Sequence, residues 1–161
     1  LRGSDENAVM YYLARLIDAG ESADFIARRM AIFASEDIGN ANPNALNLAA
    51  NALAAVSKIG FPEARIILAQ CAMYLAHSPK SNSSYNAINA ALRYVQSEEI
   101  LKIPPYLKNH TKESKDYLYP HDFGGWVEQK YLEKPLVFYK SKGIGFEKTL
   151  NEWLEKIRSK G

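Results

Sequence analysis

Few residues in this chain are of a type and spacing that could do chemistry. His121 stands beside Asp122 in the string Tyr119-Pro120-His121-Asp122-Phe123-Gly124-Gly125-Trp126. A histidine next to a carboxylate is the pair from which general acid–base catalysis is built. Neighbouring loop residues usually point apart, however, and no nucleophile precedes this pair in a recognisable pattern. The competing expectation is structural: His121 and Asp122 tie backbone groups of a Gly-Gly turn, and Phe123 and Trp126 anchor it. Cys71, the single cysteine, falls inside an apolar run, where a thiol behaves as a small hydrophobe. Zinc needs clustered ligands, and His77, His110 and His121 are widely separated. Gly143-Ile144-Gly145 lacks the third glycine and the preceding strand of a phosphate-cradling loop; a turn before the last helix is expected there. No Gly-x-Ser-x-Gly elbow is present. The chain is therefore expected to carry no catalytic set, no cofactor and no metal of its own.

Binding offers more candidates. Glu36 and Asp37 fall near the end of a helical pattern, where carboxylates oppose the dipole. They call for a partner such as a neighbouring Arg or a loop amide. Asn44, Asn47 and Asn51 share one helix face, which is either an ordinary solvated face or a subunit contact that desolvates no charge. Residues 1–100 hold 8 basic and 10 acidic side chains, a net of −2, and residues 101–161 hold 12 and 8, a net of +4. That second part also carries five of the ten tyrosines and both tryptophans. Basic and aromatic side chains interleaved can grip single-stranded nucleic acid through phosphates and stacking. The alternative is lysines that solvate a surface while aromatics pin an irregular segment, and a net of +4 is mild for a nucleic-acid domain.

The elements that must position these residues are legible as helices over the first hundred positions. Ser4 is expected to cap a helix bearing Val9, Leu13, Leu16 and Ile17, with Gly20 as its stop. Ser22 caps the next, with Ile26, Met30, Phe33 and Asp37 in line and Gly39 closing it. Asn42-Pro43 reads as an N-cap with proline at the first helical position, before Leu46, Ala49, Ala50, Leu53, Val56 and Gly60. Pro62 opens a fourth helix that is apolar almost all round and should be the central one. After Ser78-Pro79, the residues Tyr85, Ile88, Leu92 and Val95 make a fifth seam.

Short turns between these elements predict an antiparallel bundle, whose abundant alanines let the axes approach closely. From residue 97 to 144, Pro104-Pro105, Tyr119-Pro120, Gly124-Gly125 and Pro135 break any periodicity. An irregular segment packed over the bundle is expected there, with a short strand over Leu136 to Tyr139. A last helix, within 145–161, carries Leu150, Trp153, Leu154 and Ile157. The expected domain is thus a core over 1–96, a covering segment over 97–144 and a C-terminal helix.

The totals agree with one such domain. The chain has 161 residues, 47% hydrophobic and 24% charged, with a formal net charge of +2. Its longest uncharged stretch, Ile38 to Ser57, holds Pro43 and five Asn, amides that lipid would not tolerate. No membrane span is expected, nor a signal peptide, and a lone cysteine fits a reducing cytoplasm. The start, Leu1-Arg2-Gly3-Ser4-Asp5, lacks an initiator Met and enters a helix directly, so a piece of a longer protein is expected.

Several strings together carry a resemblance. Arg2 to Asp5, Tyr12 to Leu16, Phe25 to Arg29 and Ala34-Ser35-Glu36-Asp37-Ile38-Gly39 are followed by Pro62 to Arg65 and Tyr74 to Ala76. Pro79-Lys80-Ser81-Asn82 and His121 to Trp126, with Gln129 to Leu132, complete the series. In this order, over nearly the whole chain, they resemble the C-terminal region of the RarA/MgsA family, AAA+ ATPases also called replication-associated recombination protein A.

The resemblance implies a clamp-loader-collar-like helical region that joins subunits into a homo-oligomer, a tetramer. It implies an upstream ATPase core that binds ATP and Mg, relatives among clamp loaders and a Werner-helicase-interacting ATPase, and action on DNA at stalled replication forks. It further implies a nucleoid-associated protein and partners such as single-stranded-DNA-binding protein. No Walker motif is present here, so nucleotide chemistry carries over to no residue of this chain. Glu36, Asp37, Asn47, Asn51, Lys80, Asn82, His121, Asp122 and Trp126 are the candidate subunit or DNA contacts. Glu133 departs from the pattern, which leads one to expect proline after Tyr131-Leu132.

Three functional expectations follow. The first is an oligomerisation module; the second is a DNA- or replication-protein-binding module using the basic, aromatic-rich part; the third, and weakest, is a hydrolase built on His121 and Asp122.

Overall fold

The computed structural model describes residues 1–97 and 100–159; Glu98 and Glu99 of the expected covering segment, and Lys160 and Gly161 of the expected last helix, lie outside the described residues. The described residues are all-helical, with no strand. Six α-helices run in the order α1 (Glu6–Asp18), α2 (Ala23–Phe33), α3 (Asn44–Ile59), α4 (Ala64–His77), α5 (Ser83–Ser97) and α6 (Glu147–Arg158). A π-helical turn (Ala34–Ile38) and a 3-10 turn (Gly39–Ala41) carry the chain from α2 to α3. Three further 3-10 turns punctuate the irregular region between α5 and α6.

Local chemistry sets the ends of these helices. Asp5, with extended backbone, caps α1 by accepting from the Ala8 N–H at 2.8 Å. The expected cap, Ser4, lies at φ +53°, outside the extended region that an N-cap adopts, and its hydroxyl is engaged by Lys80 instead. Ser22 caps α2 as its position implied, accepting from the Phe25 N–H at 3.1 Å. Helix α3 starts without a side-chain cap. The Asn42 amide that was expected there donates to Tyr74 Oη at 3.1 Å and Ser78 Oγ at 3.0 Å, tying the start of α3 to the end of α4. Gly60 ends α3 at φ +72°, where a side chain would be strained.

Helices α1 to α4 form the core. Helix α4 packs against α1, α2 and α3, and α2 packs against α3. The buried set includes Val9, Leu13, Ile26, Met30, Phe33, Ile38, Val56, Leu68, Cys71 and Leu75. Between them Ala27, Ala45, Ala49, Ala64, Ala72 and Ala76 are buried, so the axes come together on methyl groups. The periodicity of α4 suggested burial all round. One face (Ala64, Leu68, Cys71, Ala72, Leu75, Ala76) is buried, while Ile66 is 61% exposed, because three neighbours on one side leave the other side open.

The outer helices differ more. The seam of α5 does not enter the core: Tyr85, Ile88, Leu92 and Val95 are 42–58% exposed. Helix α5 rests on the π-helical and 3-10 turns between α2 and α3, and those turns cover only its first residues. On α6, Trp153, Leu154 and Ile157 are also exposed, and Leu150 is half-buried. Residues 136–139 carry no regular secondary structure, so the expected strand does not form.

The irregular segment holds itself together locally. The Gln129 amide donates to Leu118 O at 2.7 Å and Tyr131 Oη at 2.8 Å, and Tyr106 Oη donates to Lys130 O. Glu133 Oε2 accepts from the Lys102 N–H at 2.7 Å, tying together two stretches of the segment 31 residues apart. It meets the bundle along α5, where the Tyr94 and Phe138 rings lie edge to face, 5.8 Å apart.

Two substitutions on α4 test which face carries stability. Leu68→Ala should lower the free energy of unfolding by about 2–5 kcal/mol through loss of transfer energy and a residual cavity. Ile66→Ala should shift it by no more than about 0.5 kcal/mol. Urea titrations of both variants measure the difference, and equal losses would contradict the one-sided burial of α4.

Candidate functional site

Two of the family-like strings, distant in sequence, meet at one end of the bundle. The first is Ser35 to Gly39, in the turns after α2. The second is Pro79 to Asn82, the loop between α4 and α5, whose Ser81 N–H donates to Ile38 O at 3.3 Å. A third segment, Lys142 to Glu147 at the start of α6, closes the junction: the Phe146 N–H donates to Ala41 O at 2.9 Å. The approach is close enough that a Cβ at Gly145, φ +56°, would overlap Ala41 O, and one at Gly39, φ +51°, would lie 2.8 Å from Ser81 O. Glycine at these two positions is therefore a packing requirement as well as a conformational one.

A buried carboxylate sits at the centre. Glu147 is 1% exposed. Its Oε1 accepts from Ser81 Oγ at 2.7 Å, and its Oε2 accepts from the Ile144 N–H at 3.2 Å. Ser81 Oγ also lies 2.9 Å from Ser83 Oγ. Burial pushes the Glu147 carboxyl up, but the hydrogen bonds from Ser81, the Ile144 N–H, Ser83 and the Lys142 N–H together outweigh it and hold the group below its ordinary value. The Ile144 contact spans three residues of chain, whereas the loop after α4 that shares the carboxylate is 66 residues away.

Around this centre lie four of the candidate residues. Asp37 Oδ1 accepts from Arg2 Nε at 2.8 Å, and Glu36 Oε1 lies 3.1 Å from Arg2 Nη2. The carboxylates that opposed a helix dipole thus have the arginine partner their placement called for, supplied from the segment before α1. That pairing raises the Arg2 pKa, chiefly through the Asp37 hydrogen bond. Lys80 Nζ donates to Ser4 Oγ at 2.6 Å, Ser78 O at 2.8 Å and Ala76 O at 3.0 Å. Desolvation lowers its pKa, against an opposing pull from Asp37. Asn82 Oδ1 accepts from Lys142 Nζ at 2.6 Å and from Asn86 Nδ2 at 3.1 Å. These side chains hold the N-terminal segment, the α4–α5 loop and the start of α6 together.

The other candidates lie elsewhere. Asn47 and Asn51 are exposed on α3, and the Asn51 amide donates to Asn47 O at 2.8 Å. Asn44, on the same face, donates to Tyr74 Oη at 3.2 Å. His121 and Asp122 occupy an exposed 3-10 turn, Pro120–Phe123. The turn is closed by backbone, from the Gly125 N–H to Pro120 O at 2.8 Å, and not by the His and Asp side chains. The His121 ring instead rests 5.0 Å from that of Tyr119, while Trp126 is half-buried nearby in sequence.

Cys71 is buried, and burial pushes its thiol up to about 11, so it remains protonated at neutral pH and is no nucleophile. Among the described residues no three His, Cys, Asp or Glu side chains gather into a metal-binding group, and no helix is long and apolar enough to cross a membrane.

The chain matches a known family and several known proteins. Residues 3–158 match the family model described as MgsA AAA+ ATPase C terminal. Replication-associated recombination protein A of Bacillus subtilis is 45% identical over 98% of this chain and 40% of its own length. An uncharacterized protein of Thermotoga maritima is 46% identical over 98% of the chain and 27% of its own length. ATPase WRNIP1 of Dictyostelium discoideum is 40% identical over 84% of the chain and 17% of its own length. The chain therefore spans well under half the length of the relatives it matches.

The junction makes a pH-dependent prediction. Glu147→Gln puts an amide NH2 group where an acceptor is needed, and should lower stability at pH 7 by about 1–3 kcal/mol. A carboxyl held below its ordinary value of 4.5 stabilises fully above that pH and loses its contribution as pH falls through the lower folded value. The gap between wild type and variant should therefore narrow in urea titrations taken progressively below about pH 4. A gap that is absent at pH 7 would contradict the anchoring role.

Proposed function

This chain belongs to the MgsA AAA+ ATPase C-terminal family, and from that premise we propose that it is the oligomerisation module of a DNA-dependent ATPase acting in replication-associated recombination, with the homotetramer as its assembled form. The observation that carries the reading is the apolar stripe on α5. Tyr85, Ile88, Leu92 and Val95 recur at helical spacing, yet each is at least 42% exposed. Monomeric proteins rarely leave such stripes open to water when the residues are contiguous.

Covering the stripe with another chain removes apolar area at roughly 25 cal/mol per Å2. A specific interface of this kind buries more than about 1,000 Å2 in total and, between identical chains, closes by symmetry. The exposed Trp153, Leu154 and Ile157 of α6 offer a second such face, and two faces per chain are what a closed assembly larger than a dimer requires.

ATP and Mg would be bound by parts of the relatives that this chain does not span, as would the activity at stalled forks. The junction around Glu147 contributes rigidity: it fixes α5 and α6 to the core so that their faces keep one relative geometry. Single-stranded-DNA-binding protein and other replication proteins would be partners of the whole assembly.

Light scattering across a range of concentrations tests the reading. With chains of 18.0 kDa, a closed tetramer has a mass of about 72 kDa. The double variant Ile88→Asp/Leu92→Asp, at positions already open to water, should scatter as a single chain while its unfolding free energy changes little. A wild-type chain that stays monomeric at every concentration would overturn the proposal.

A further inference from the structure

Beside the apolar stripe of α5 runs a different surface. Asn86, Asn89 and Arg93 lie one position further along the helix from Tyr85, Ile88 and Leu92, and they face the irregular segment that leads to α6. Between them is a cleft of about 580 Å3, whose far wall carries Phe138, Lys140 and Lys142. Among the described residues no carboxylate lines it. Across those residues the carboxylates that form ion pairs are Glu36 and Asp37, with Arg2, at the junction.

The cations of the cleft are held or left open in a way that preserves their charge. Lys142 Nζ is steadied by the neutral Asn82 amide oxygen at 2.6 Å, not by an acid. Arg93 and Lys140 are exposed, and their side chains meet no carboxylate among the described residues. The wall itself is firm: Phe138 is set edge to face against Tyr94, with Lys134 Nζ 5.6 Å from the Tyr94 ring centre. At the mouth stands Tyr85, 42% exposed.

We propose that this cleft between α5 and residues 137–142 binds the phosphate backbone of single-stranded nucleic acid. Arg93, Lys140 and Lys142 would take phosphates, Asn86 and Asn89 would donate to phosphate or sugar oxygens, and Tyr85 would offer its face to a base. Three cations around a concave floor, with an aromatic at the rim, form the combination that tracks one strand without reading sequence. Apart from Tyr85, which borders both, this surface lies on a different face of α5 from the stripe assigned to assembly, and the inference does not rest on that assignment.

Fluorescence anisotropy of a labelled 20-nucleotide oligothymidine, titrated with the 161-residue chain, tests it. Binding should weaken as salt rises. The double variant Arg93→Ala/Lys140→Ala should bind about tenfold more weakly in low salt and flatten the log–log salt slope by about 1.4, the release expected from two lost contacts on a single strand. This pair leaves the Lys142–Asn82 contact intact, so the junction is undisturbed; adding Lys142→Ala should weaken binding further.

A control variant at lysines outside the cleft lining, Lys108→Ala/Lys112→Ala, should keep wild-type affinity and slope. Light scattering on the same samples should give unchanged masses, which separates loss of the strand from loss of assembly. The proposal is overturned if the wild type fails to bind at 50 mM salt, or if the double variant keeps wild-type affinity and slope. It is equally overturned if the control loses as much as the double variant, or if a duplex of the same length binds as tightly and depends equally on Arg93 and Lys140.

Discussion

A carboxylate removed from water must have donors, and the organisation of this molecule beyond its core depends on how Glu147 finds them. One oxygen is met by Ser81 from the α4–α5 loop and the other by the Ile144 N–H at the start of its own helix. To deliver those donors, the loop must lie against Ile38 and the chain before α6 must lie against Ala41. Glycine is required at 39 and 145 because the backbones come too close for a Cβ. The burial cost of the charge and its satisfaction by hydrogen bonds are thus coupled to the placement of two helices that share few apolar contacts with the core. A buried polar group that is fully satisfied specifies geometry more sharply than apolar burial does, since its donors must arrive at fixed distances.

The core and the outer helices are built on different principles. Helices α1 to α4 close on alanines and a limited set of larger side chains, so their apolar faces are consumed inside one chain. Helices α5 and α6 are oriented by polar contacts at their first turns, and their apolar faces are left outward. That division leaves one helix, α5, with two neighbouring surfaces of opposite character. A greasy stripe suits another copy of the chain, and a cationic cleft beside it suits an oligoanion. A domain that joins ATPase subunits and also touches a strand would gain from having both on one rigid element, because assembly would then fix the spacing between successive clefts.

Much of the fold was legible without coordinates. The helices α1 to α4 announced themselves through apolar periodicity, the capping serine at position 22 and the glycine stops at 20 and 60, since these signals act over one or two turns of chain. The arginine partner of Glu36 and Asp37 was legible as a need, because carboxylates at a helix end are uncomfortable alone. Lys80 and Asn82 were singled out by resemblance, and both lie at the junction. Less legible were the caps that tertiary contacts displaced: Ser4 yielded to Asp5 because Lys80 engages its hydroxyl, and Asn42 was drawn to Tyr74 and Ser78 on α4.

The amphipathic pattern of α5 is the clearest boundary between the two kinds of knowledge. Periodicity states that Tyr85, Ile88, Leu92 and Val95 share a face, because 3.6 residues per turn is a property of the local backbone. It is silent on whether that face meets this chain's own core, since the answer depends on where the helix axis points. That direction was decided by the contacts of Ser81 and Glu147, residues 66 positions apart. The amino-acid order therefore determined which helices exist, which faces are apolar and which family the chain resembles, all through local or cumulative signals. Tertiary structure alone decided which apolar faces remain open and which cations share a cleft, because both follow from long-range geometry that no window of sequence contains.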